Sequence, residues 1–316
     1  MKKNLIYIIL GVVVLVIPIL LKNRPSLVGY LNLVMIYSIA VIGLNLLLGI
    51  AGQISLGHAA FMAIGGYTSA ILVMNLNLPS LLGILLGVIF AAFFGFLIGF
   101  PSLRLKGFYL AIATMALSTA ITDIIKRLQI TGSDHGLMNI PPISIFNFSF
   151  SSEISKYYLF LVFLVITIIL IRNFLRGKSG MALRAMRDSE YGALACGINI
   201  SYYKILAFVI SSALAGLAGA LYAHSISYLH PMNFGLGLSI DFLAITIIGG
   251  LGTLFGPILG SFLWIILPRF FGTHLESMAT VVFGIILILI VLFLPRGLYE
   301  IIEKFDRILK RPVGAK

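Results

Sequence analysis

The chain has 316 residues, of which 60% are hydrophobic and only 10% are charged, and its mean hydropathy is +1.11. Soluble domains carry about 25% charged residues, so this composition excludes a soluble enzyme or binding module and predicts an integral membrane protein. The formal net charge of +12 does not indicate a nucleic-acid partner, because the basic residues lie between apolar segments, where they set topology and contact anionic lipid headgroups.

Apolar segments follow one another along nearly the whole chain. The first, at 5–21, is long for a secretory signal and no Ala-x-Ala site follows it, so we expect a retained helix. No charged residue occurs between Pro25 and Leu103, and since a spanning helix needs about 20 apolar residues, this block predicts about three helices. Lipid-exposed backbone must satisfy its own hydrogen bonds, which favours helices. The pattern therefore predicts an all-α polytopic membrane protein with about ten transmembrane helices, at 5–21, 27–48, 53–74, 81–101, 107–122, 157–172, 205–223, 237–250, 254–268 and 278–294.

The basic residues predict which side of the membrane each loop faces. If the N-terminus is inside, 16 of the 22 Lys and Arg residues fall on the inner side and six on the outer side, in keeping with the positive-inside rule. We therefore expect both termini in the cytoplasm. The chain divides into a transmembrane domain, 1–297, and a cytoplasmic tail, 298–316. The domain contains a long outer loop, 123–156, and a long basic inner loop, 173–204.

Two glycine-rich segments interrupt the apolar pattern. Residues 250–256 (GLGTLFG) resemble residues 52–57 (GQISLG), with one residue inserted. The similarity is either a true internal repeat or a chance match. Interrupted helices in corresponding halves are typical of a transport site, so the breaks either line the translocation path or allow close packing through small residues such as Ser55, Ala59 and Ala63. The candidate path residues are Asn45, Gly52, Gln53, Ser55, Gly57, His58, Gly249, Gly250, Gly252 and Thr253.

Two titratable residues are predicted within the membrane. His58 follows the first break, and a lone histidine at such a position is more typical of packing between helices than of carrying protons. Asp241 is the only acid predicted well within a span, and burying it at a helix centre would cost about 2.5–3.5 kcal/mol. It therefore either contacts a cationic group of a solute or lies exposed at the membrane interface.

The inner loop contains a segment, Met181–Cys196, that is predicted to form one amphipathic helix. Its apolar side is expected to carry Leu183, Met186 and Leu194. The spacing also predicts two ion pairs, Arg184 with Asp188 and Arg187 with Glu190, a C-terminal cap at Gly197 and an N-cap for the next helix at Ser201. Such a helix either docks a soluble partner or only fixes the topology of the loop.

Four segments of the chain resemble segments of one protein family, and they occur in the same order as in that family. The inner segment "RAMRDSEYGALACGINISYYKILAFVISSALAGLAGALYA" (184–223) is similar to the cytoplasmic coupling loop and following helix of LivM-type permeases. These belong to the LivH/LivM family of membrane subunits in branched-chain amino acid ABC importers. The other three segments are "LNLLLGIAGQISLGHAAFMAIGGYTSAIL" (44–72), "TGSDHGL" (131–137) and "IIGGLGTLFGPILGSFLWII" (247–266).

The resemblance implies residues that couple the chain to an ATPase. In ABC importers a Glu-Ala-Ala-type motif followed by Gly docks on the ATPase, and here Glu190 matches the Glu, Ala193 and Ala195 the small positions, and Gly197 the Gly. Gly192 stands where the family often has Ala, which weakens the helix by about 1 kcal/mol. The implied coupling residues are Arg184, Arg187, Asp188, Glu190, Tyr191, Ala193 and Gly197.

The resemblance also implies partners and a location. The partners would be a LivH-type permease subunit, two cytoplasmic ATPase subunits of the LivG/LivF type, an extracytoplasmic solute-binding protein and membrane lipid, in a bacterial or archaeal plasma membrane. The chain itself should be no enzyme and hold no metal or cofactor, with ATP used by its partners. The one Gly-Lys-Ser sequence, Gly177–Ser179, lacks the glycine that a phosphate loop needs five positions earlier, where Arg172 stands. Alternatives are a urea or amide ABC importer permease and a stand-alone channel or ion-coupled carrier.

Overall fold

A computed structural model of the protein describes residues 13–105, 107–145, 148–270, 284–285, 288–289, 292–294 and 297–300. The predicted first span, 5–21, therefore begins outside the described residues. Most of the predicted last span, 278–294, and of the tail, 298–316, also lies outside them.

Helices dominate the described chain, and six of them are long and apolar enough to cross a membrane. Helices α10 and α11 are apolar but shorter. The prediction of a polytopic helical membrane protein is therefore confirmed, whereas the count of ten stays a prediction. The helices are α1 (described over 13–20), α2 (Pro25–Asn45), α3 (His58–Leu76), α4 (Ser80–Ser102), α5 (Phe108–Arg127), α6 (Glu153–Arg176), α7 (Lys178–Asp188), α8 (Glu190–Ala195), α9 (Ile200–Ile226), α10 (Leu236–Gly249) and α11 (Gly256–Phe270).

Helix α9 lies at the centre of the bundle and packs against α2, α3 and α4. Small residues let the backbones approach, so that a methyl group added at Gly66 of α3 would lie 2.9 Å from the Gly219 carbonyl oxygen of α9. Helices α4, α5 and α6 carry the outward apolar surface, with large side chains such as Phe93 and Ile169 about half exposed. In a bilayer that surface faces lipid, where helix association depends on close packing of small residues.

The connection between α5 and α6 is shorter than the predicted outer loop, because α5 continues to Arg127 and α6 begins at Glu153. It contains two 3-10 turns, Gln129–Thr131 and Ser133–His135. It also contains short strands that the all-α prediction omits. Strand β1 (Leu137–Met138) pairs antiparallel with β4 (Tyr228–Leu229), and β2 (Ser144–Ile145) pairs with β3 (Phe148–Ser149). The first pair ties this loop to the end of α9.

Candidate functional site

The first glycine-rich segment is an unwound stretch of chain beside α2. Helix α2 passes into a π-helical turn, Leu46–Ile50, and the backbone N–H of Gln53 then donates to the Leu47 carbonyl at 2.9 Å. The chain runs back along α2 until the His58 ring meets the Ala40 carbonyl, with 2.8 Å between Nε2 and the oxygen. Helix α3 begins at His58, so the predicted helix start at residue 53 is wrong. Gln53, Ser55 and Gly57 of this stretch are buried in protein, which is the condition under which irregular backbone is tolerated within a membrane.

Side chains from other helices satisfy the polar groups where α3 begins. The N–H of Leu56 donates to Thr114 Oγ1 of α5 at 2.9 Å, and the N–H of Ala59 donates to Ser239 Oγ of α10 at 3.1 Å. The N–H of Gly57 donates to Ser55 Oγ at 3.3 Å. The first N–H groups of a helix have no partner within it, so α5 and α10 fix the position of this helix start.

The two glycine-rich breaks contact each other through Asn45. Its amide nitrogen donates to the Thr253 carbonyl at 2.6 Å, and its amide oxygen accepts from the Gly252 N–H at 2.8 Å. The Asn45 oxygen and the Gly252 N–H leave no space for a side chain at Gly49. We call this meeting point of residues 45–52 and 249–253 the break junction.

A charged side chain of α7 reaches the break junction. The Arg187 guanidinium donates to the Gly49 carbonyl, and its stem lies against Gly52, where an added methyl group would come within 3.1 Å of Arg187 Cγ. Gly52 also has a φ of +70°, which side chains rarely adopt. A movement of Arg187 would therefore act on both breaks, since Gly49 packs directly on Gly252.

The inner loop forms two helices instead of the single predicted helix Met181–Cys196. Ser189 is extended, with φ −159° and ψ 114°, and separates α7 from α8. Its Oγ accepts from the Gly192 N–H at 3.1 Å, which is an N-cap for α8. Because Ser and Asp compete with helical backbone bonds, the Asp188-Ser189 sequence is the physical reason for the interruption.

The interruption changes the predicted ion pairs. Arg187 binds the Gly49 carbonyl instead of Glu190, and Glu190 pairs with Lys204 of α9 at 2.6 Å. In the described chain no ion pair joins Arg184 and Asp188. The Lys204 side chain is only 5% exposed, so this bond ties α8 firmly to the start of α9.

Helix α8 ends at the predicted place. Gly197 has a φ of +76°, its N–H donates to the Leu194 carbonyl at 2.9 Å, and the next N–H, of Ile198, donates to the Ala193 carbonyl at 3.0 Å. These bonds form a Schellman motif. The following N-cap is Asn199, whose Oδ1 accepts from the Tyr202 N–H at 3.1 Å, so the prediction of Ser201 is wrong by two residues.

The outer face of α7 and α8 is exposed and mixed in character. Tyr191 is 80% exposed, and Leu194 is 55% exposed, so the prediction that Leu194 lies with the buried Leu183 and Met186 is wrong. Ala193, implied as a coupling residue, is buried instead. The exposed face is formed by Met181, Arg184, Asp188, Tyr191 and Leu194. The face therefore combines charged and apolar side chains that the described part of the chain leaves exposed.

A small cavity of about 180 Å³ lies between this loop and the bundle, lined in part by Gln53, Ser102, Asp188, Glu190 and Lys204. Gln53 is 5% exposed, and within the described residues neither of its amide atoms has a hydrogen-bond partner. Such a group is costly unless water, a solute or another conformation satisfies it.

The predicted path residues therefore fall into distinct environments. Asn45, Gly252 and Thr253 bond at the break junction, whereas Ser55, Gly57 and His58 pack deeper and bond within the protein. Gly249 packs against Gly256, and Gly250 has a φ of +122° that ends α10.

Three residues that position the candidate site lay outside the sequence-based set. Thr114 and Ser239 fix the start of α3, and Lys204 holds Glu190. Nothing in the local sequence marks Thr114 or Ser239, because their partners are distant along the chain. Lys204 does carry a signal, since a lysine one turn inside an apolar helix needs a partner.

Comparison with known proteins gives the chain a family. The model of the family described as branched-chain amino acid transport system / permease component matches residues 26–291. The chain is 30% identical to the high-affinity branched-chain amino acid transport system permease protein LivM of Escherichia coli (strain K12), over 94% of this chain and 75% of that protein. The identity and the coverage are the same for the LivM protein of Salmonella typhimurium (strain LT2). It is 25% identical to the probable branched-chain amino acid transport permease protein LivM of Methanocaldococcus jannaschii, over 72% of this chain and 68% of that protein. No solved structure matches the chain. The chain thus belongs to the family of permease components of branched-chain amino acid transport systems.

Proposed function

We propose that this chain is a permease subunit of an ABC importer, that it carries branched-chain amino acids, and that separate ATPase subunits drive it. The observation that carries the proposal is the bond between Arg187 of α7 and the Gly49 carbonyl at the break junction. A soluble partner bound to the exposed face of α7 and α8 would move Arg187, and Arg187 contacts both interrupted segments. The family membership supports the same role.

The partners follow from this role. A second permease subunit of the LivH type would complete the path, two ATPase subunits of the LivG/LivF type would dock on α7 and α8, and a solute-binding protein would deliver the solute from outside. The docking side would then be cytoplasmic, and the membrane a bacterial or archaeal plasma membrane. The chain would bind no ATP, metal or cofactor of its own and catalyse no covalent reaction.

In this mechanism the Lys204–Glu190 pair and the Arg187–Gly49 bond have different tasks. The ion pair, with N–O distance 2.6 Å, fixes α8 to the central helix α9, so force on α8 passes into the bundle. The Arg187 bond passes it to the break junction. The remaining path candidates, including Gln53 at the small cavity, would line the inner part of the route.

The test separates docking from coupling in the reconstituted importer, with uptake of labelled L-leucine and ATP hydrolysis measured together. Tyr191→Ser combined with Leu194→Ser should abolish co-purification of the ATPase subunits, because it removes two large exposed apolar groups from the exposed face of α7 and α8. Arg187→Gln should keep co-purification but lower leucine uptake per ATP by roughly tenfold, the effect of losing one charge-assisted hydrogen bond.

Two results would contradict the proposal. ATP-independent uptake by the wild-type chain without ATPase subunits would favour a channel or an ion-coupled carrier. ATP-driven uptake of urea or an amide in place of leucine would favour that class of importer. Met138→Ser serves as the control, because Met138 is 56% exposed, close to the value of Leu194, but lies in strand β1, which pairs with the strand that follows α9.

A further inference from the structure

The larger of the two cavities described lies at the far end of the bundle from α7 and α8. It measures about 400 Å³ and opens between α2, α3, α9, α10 and the 3-10 turn Pro231–Phe234. Helix α9 begins beside α8 and has 27 residues, which is about 40 Å at 1.5 Å per residue. Tyr222, near the other end of α9, lines the cavity. Tyr37 and Asp241, which also line it, lie eight residues, or about 12 Å, from Asn45 and Gly249 of the break junction along α2 and α10. The cavity therefore reaches from the far side of the bundle toward its middle.

One carboxylate faces this cavity without a cation. Asp241, in the second turn of α10, is partly buried and lines the wall. Within the described ranges, no Lys, Arg or His forms an ion pair with it, whereas Glu153 is paired with Lys156 at 2.9 Å and Glu190 with Lys204. An acid in a membrane helix is costly and normally marks a functional group with a partner, and the described part of the chain supplies no cationic partner for Asp241.

Aromatic rings surround the same space. Tyr37, Tyr222 and Phe234 all line the cavity. The Tyr222 and Phe234 rings meet edge to face at 5.8 Å, and Tyr37 packs edge to face on Phe242 at 5.3 Å, which holds the rings in place. Ring faces attract organic cations, so a carboxylate with three rings is the chemistry that selects an ammonium group.

The rest of the lining suits the remainder of an apolar amino acid. Met62 and Leu238 offer apolar surface, and the Asn233 amide can donate to a carboxylate. A metal ion is a poorer occupant, because the described residues contain no group of three His, Cys, Asp or Glu side chains that could hold one.

We propose that this cavity is a solute subsite in which Asp241 and the rings of Tyr37, Tyr222 and Phe234 hold the ammonium group of an apolar α-amino acid. The proposal rests on the importer function proposed above and adds a contact to it. The permease would then recognise an aliphatic amino acid by its ammonium group. The apolar side chain would contact the less specific part of the cavity wall. Urea and neutral amides lack the ammonium group and would gain nothing from the carboxylate.

The experiment uses the complete importer with its binding protein in proteoliposomes. Labelled L-leucine uptake and the ATP hydrolysis that the leucine-loaded binding protein stimulates are measured in parallel. Asp241→Asn removes the charge and keeps the shape, and it should lower leucine transported per ATP by about tenfold or more, as expected for losing a charged contact, while stimulated hydrolysis persists. Asp241→Glu should restore part of the uptake.

Asp134→Asn is the matched control and should behave as wild type. Asp134 is an exposed acid in the α5–α6 connection, which strand pairing ties to the same end of α9. For the rings, Tyr222→Phe should retain most uptake and Tyr222→Leu should lose it, since only the former keeps a ring face.

Three outcomes would overturn the subsite. The first is wild-type leucine uptake per ATP in Asp241→Asn, and the second is an equal loss of uptake in Asp134→Asn. The third is a loss of both stimulated hydrolysis and uptake in Asp241→Asn, because that result would indicate a structural role for Asp241. Failure of the proposed function is a separate result, because the wild-type importer would then show no ATP-driven leucine uptake at all.

Discussion

Two buried amides, Asn45 and Gln53, lie eight positions apart and have opposite environments. Asn45 is 3% exposed and uses both amide atoms to join the two breaks, whereas Gln53 is 5% exposed and, in the described part of the chain, uses neither. A paired buried amide stabilises a fold, and an unpaired one costs free energy. The sequence assigned both to the translocation path, and only their contacts separate them.

Replacing Asn45 with Ala should destabilise the protein. The change leaves the partly buried Thr253 carbonyl and Gly252 N–H without the Asn45 amide, and we expect a loss of about 2 kcal/mol in the free energy of unfolding. Thermal unfolding of the purified chain in detergent measures it. Asn173→Ala is the control, because Asn173 is exposed at the end of α6, and a shift as large in the control would refute the assigned role of Asn45.

Replacing Gln53 with Leu should behave in the opposite way. The leucine removes two unpartnered polar atoms from the small cavity, so the free energy of unfolding should stay equal or rise by about 1 kcal/mol. The same thermal measurement applies. A loss similar to that of Asn45→Ala would mean that the Gln53 amide has a structural partner and does not lie unpaired at the cavity.

At the scale of elements, the inner loop shows how short helices are fixed by their ends. Helix α8 has six residues, which is too short to be stable alone. Ser189 caps its start, the Schellman motif at Gly197 closes its end, and the Lys204–Glu190 pair holds it to α9. These local contacts, rather than intrinsic helix propensity, hold α8 in a defined position.

Gly197→Ala should weaken this element. Gly197 has a φ of +76° with open space around it, so the cost is backbone strain of about 1 kcal/mol and not a steric clash. Gly177→Ala is the control, since Gly177 has a φ of −79° and an added methyl group would meet only ordinary contacts at 3.4 Å. Hydrogen exchange of the 190–198 amides should rise in the first variant and stay unchanged in the second. Equal exchange in both would show that the left-handed turn does not hold α8.

At the scale of the whole molecule, the central finding is a bundle with different chemistry at its two ends. One end carries the exposed face of α7 and α8, the break junction and the small polar cavity, and the aromatic cavity with Asp241 lies farther along the bundle. Helix α9 connects the two ends and packs along α2, α3 and α4, so a tilt imposed at α8 can reach the far cavity through one rigid element.

The single cysteine provides a test of orientation. Cys196 is exposed, at the C-terminal end of α8, and the proposed topology puts it in the cytoplasm. A membrane-impermeant maleimide should label it in inverted vesicles but not in intact cells, and bound ATPase subunits should protect it. Cys196→Ser is the negative control. Labelling in intact cells would reverse the topology and remove the docking assignment.

Much of the fold could be predicted from the sequence because hydropathy and backbone chemistry act locally. The long apolar runs predicted α2, α4, α6 and α9 to within a few residues, and the C-terminal cap of α8 was predicted at Gly197. The misplaced start of α3 and the division between α7 and α8 have another origin. Both depend on side chains, such as Ser239 and Ser189, whose hydrogen bonds compete with helix continuation.

By itself, the sequence determined that this chain is a helical membrane protein with two interrupted segments and a basic inner loop, since composition and hydropathy alone decide what a bilayer accepts. Only the tertiary structure decided that the two interruptions touch through Asn45, that Arg187 contacts the same junction, and that Asp241 shares a cavity with three aromatic rings. These contacts join residues that lie far apart along the chain, and their geometry is set by helix packing, which no local pattern records.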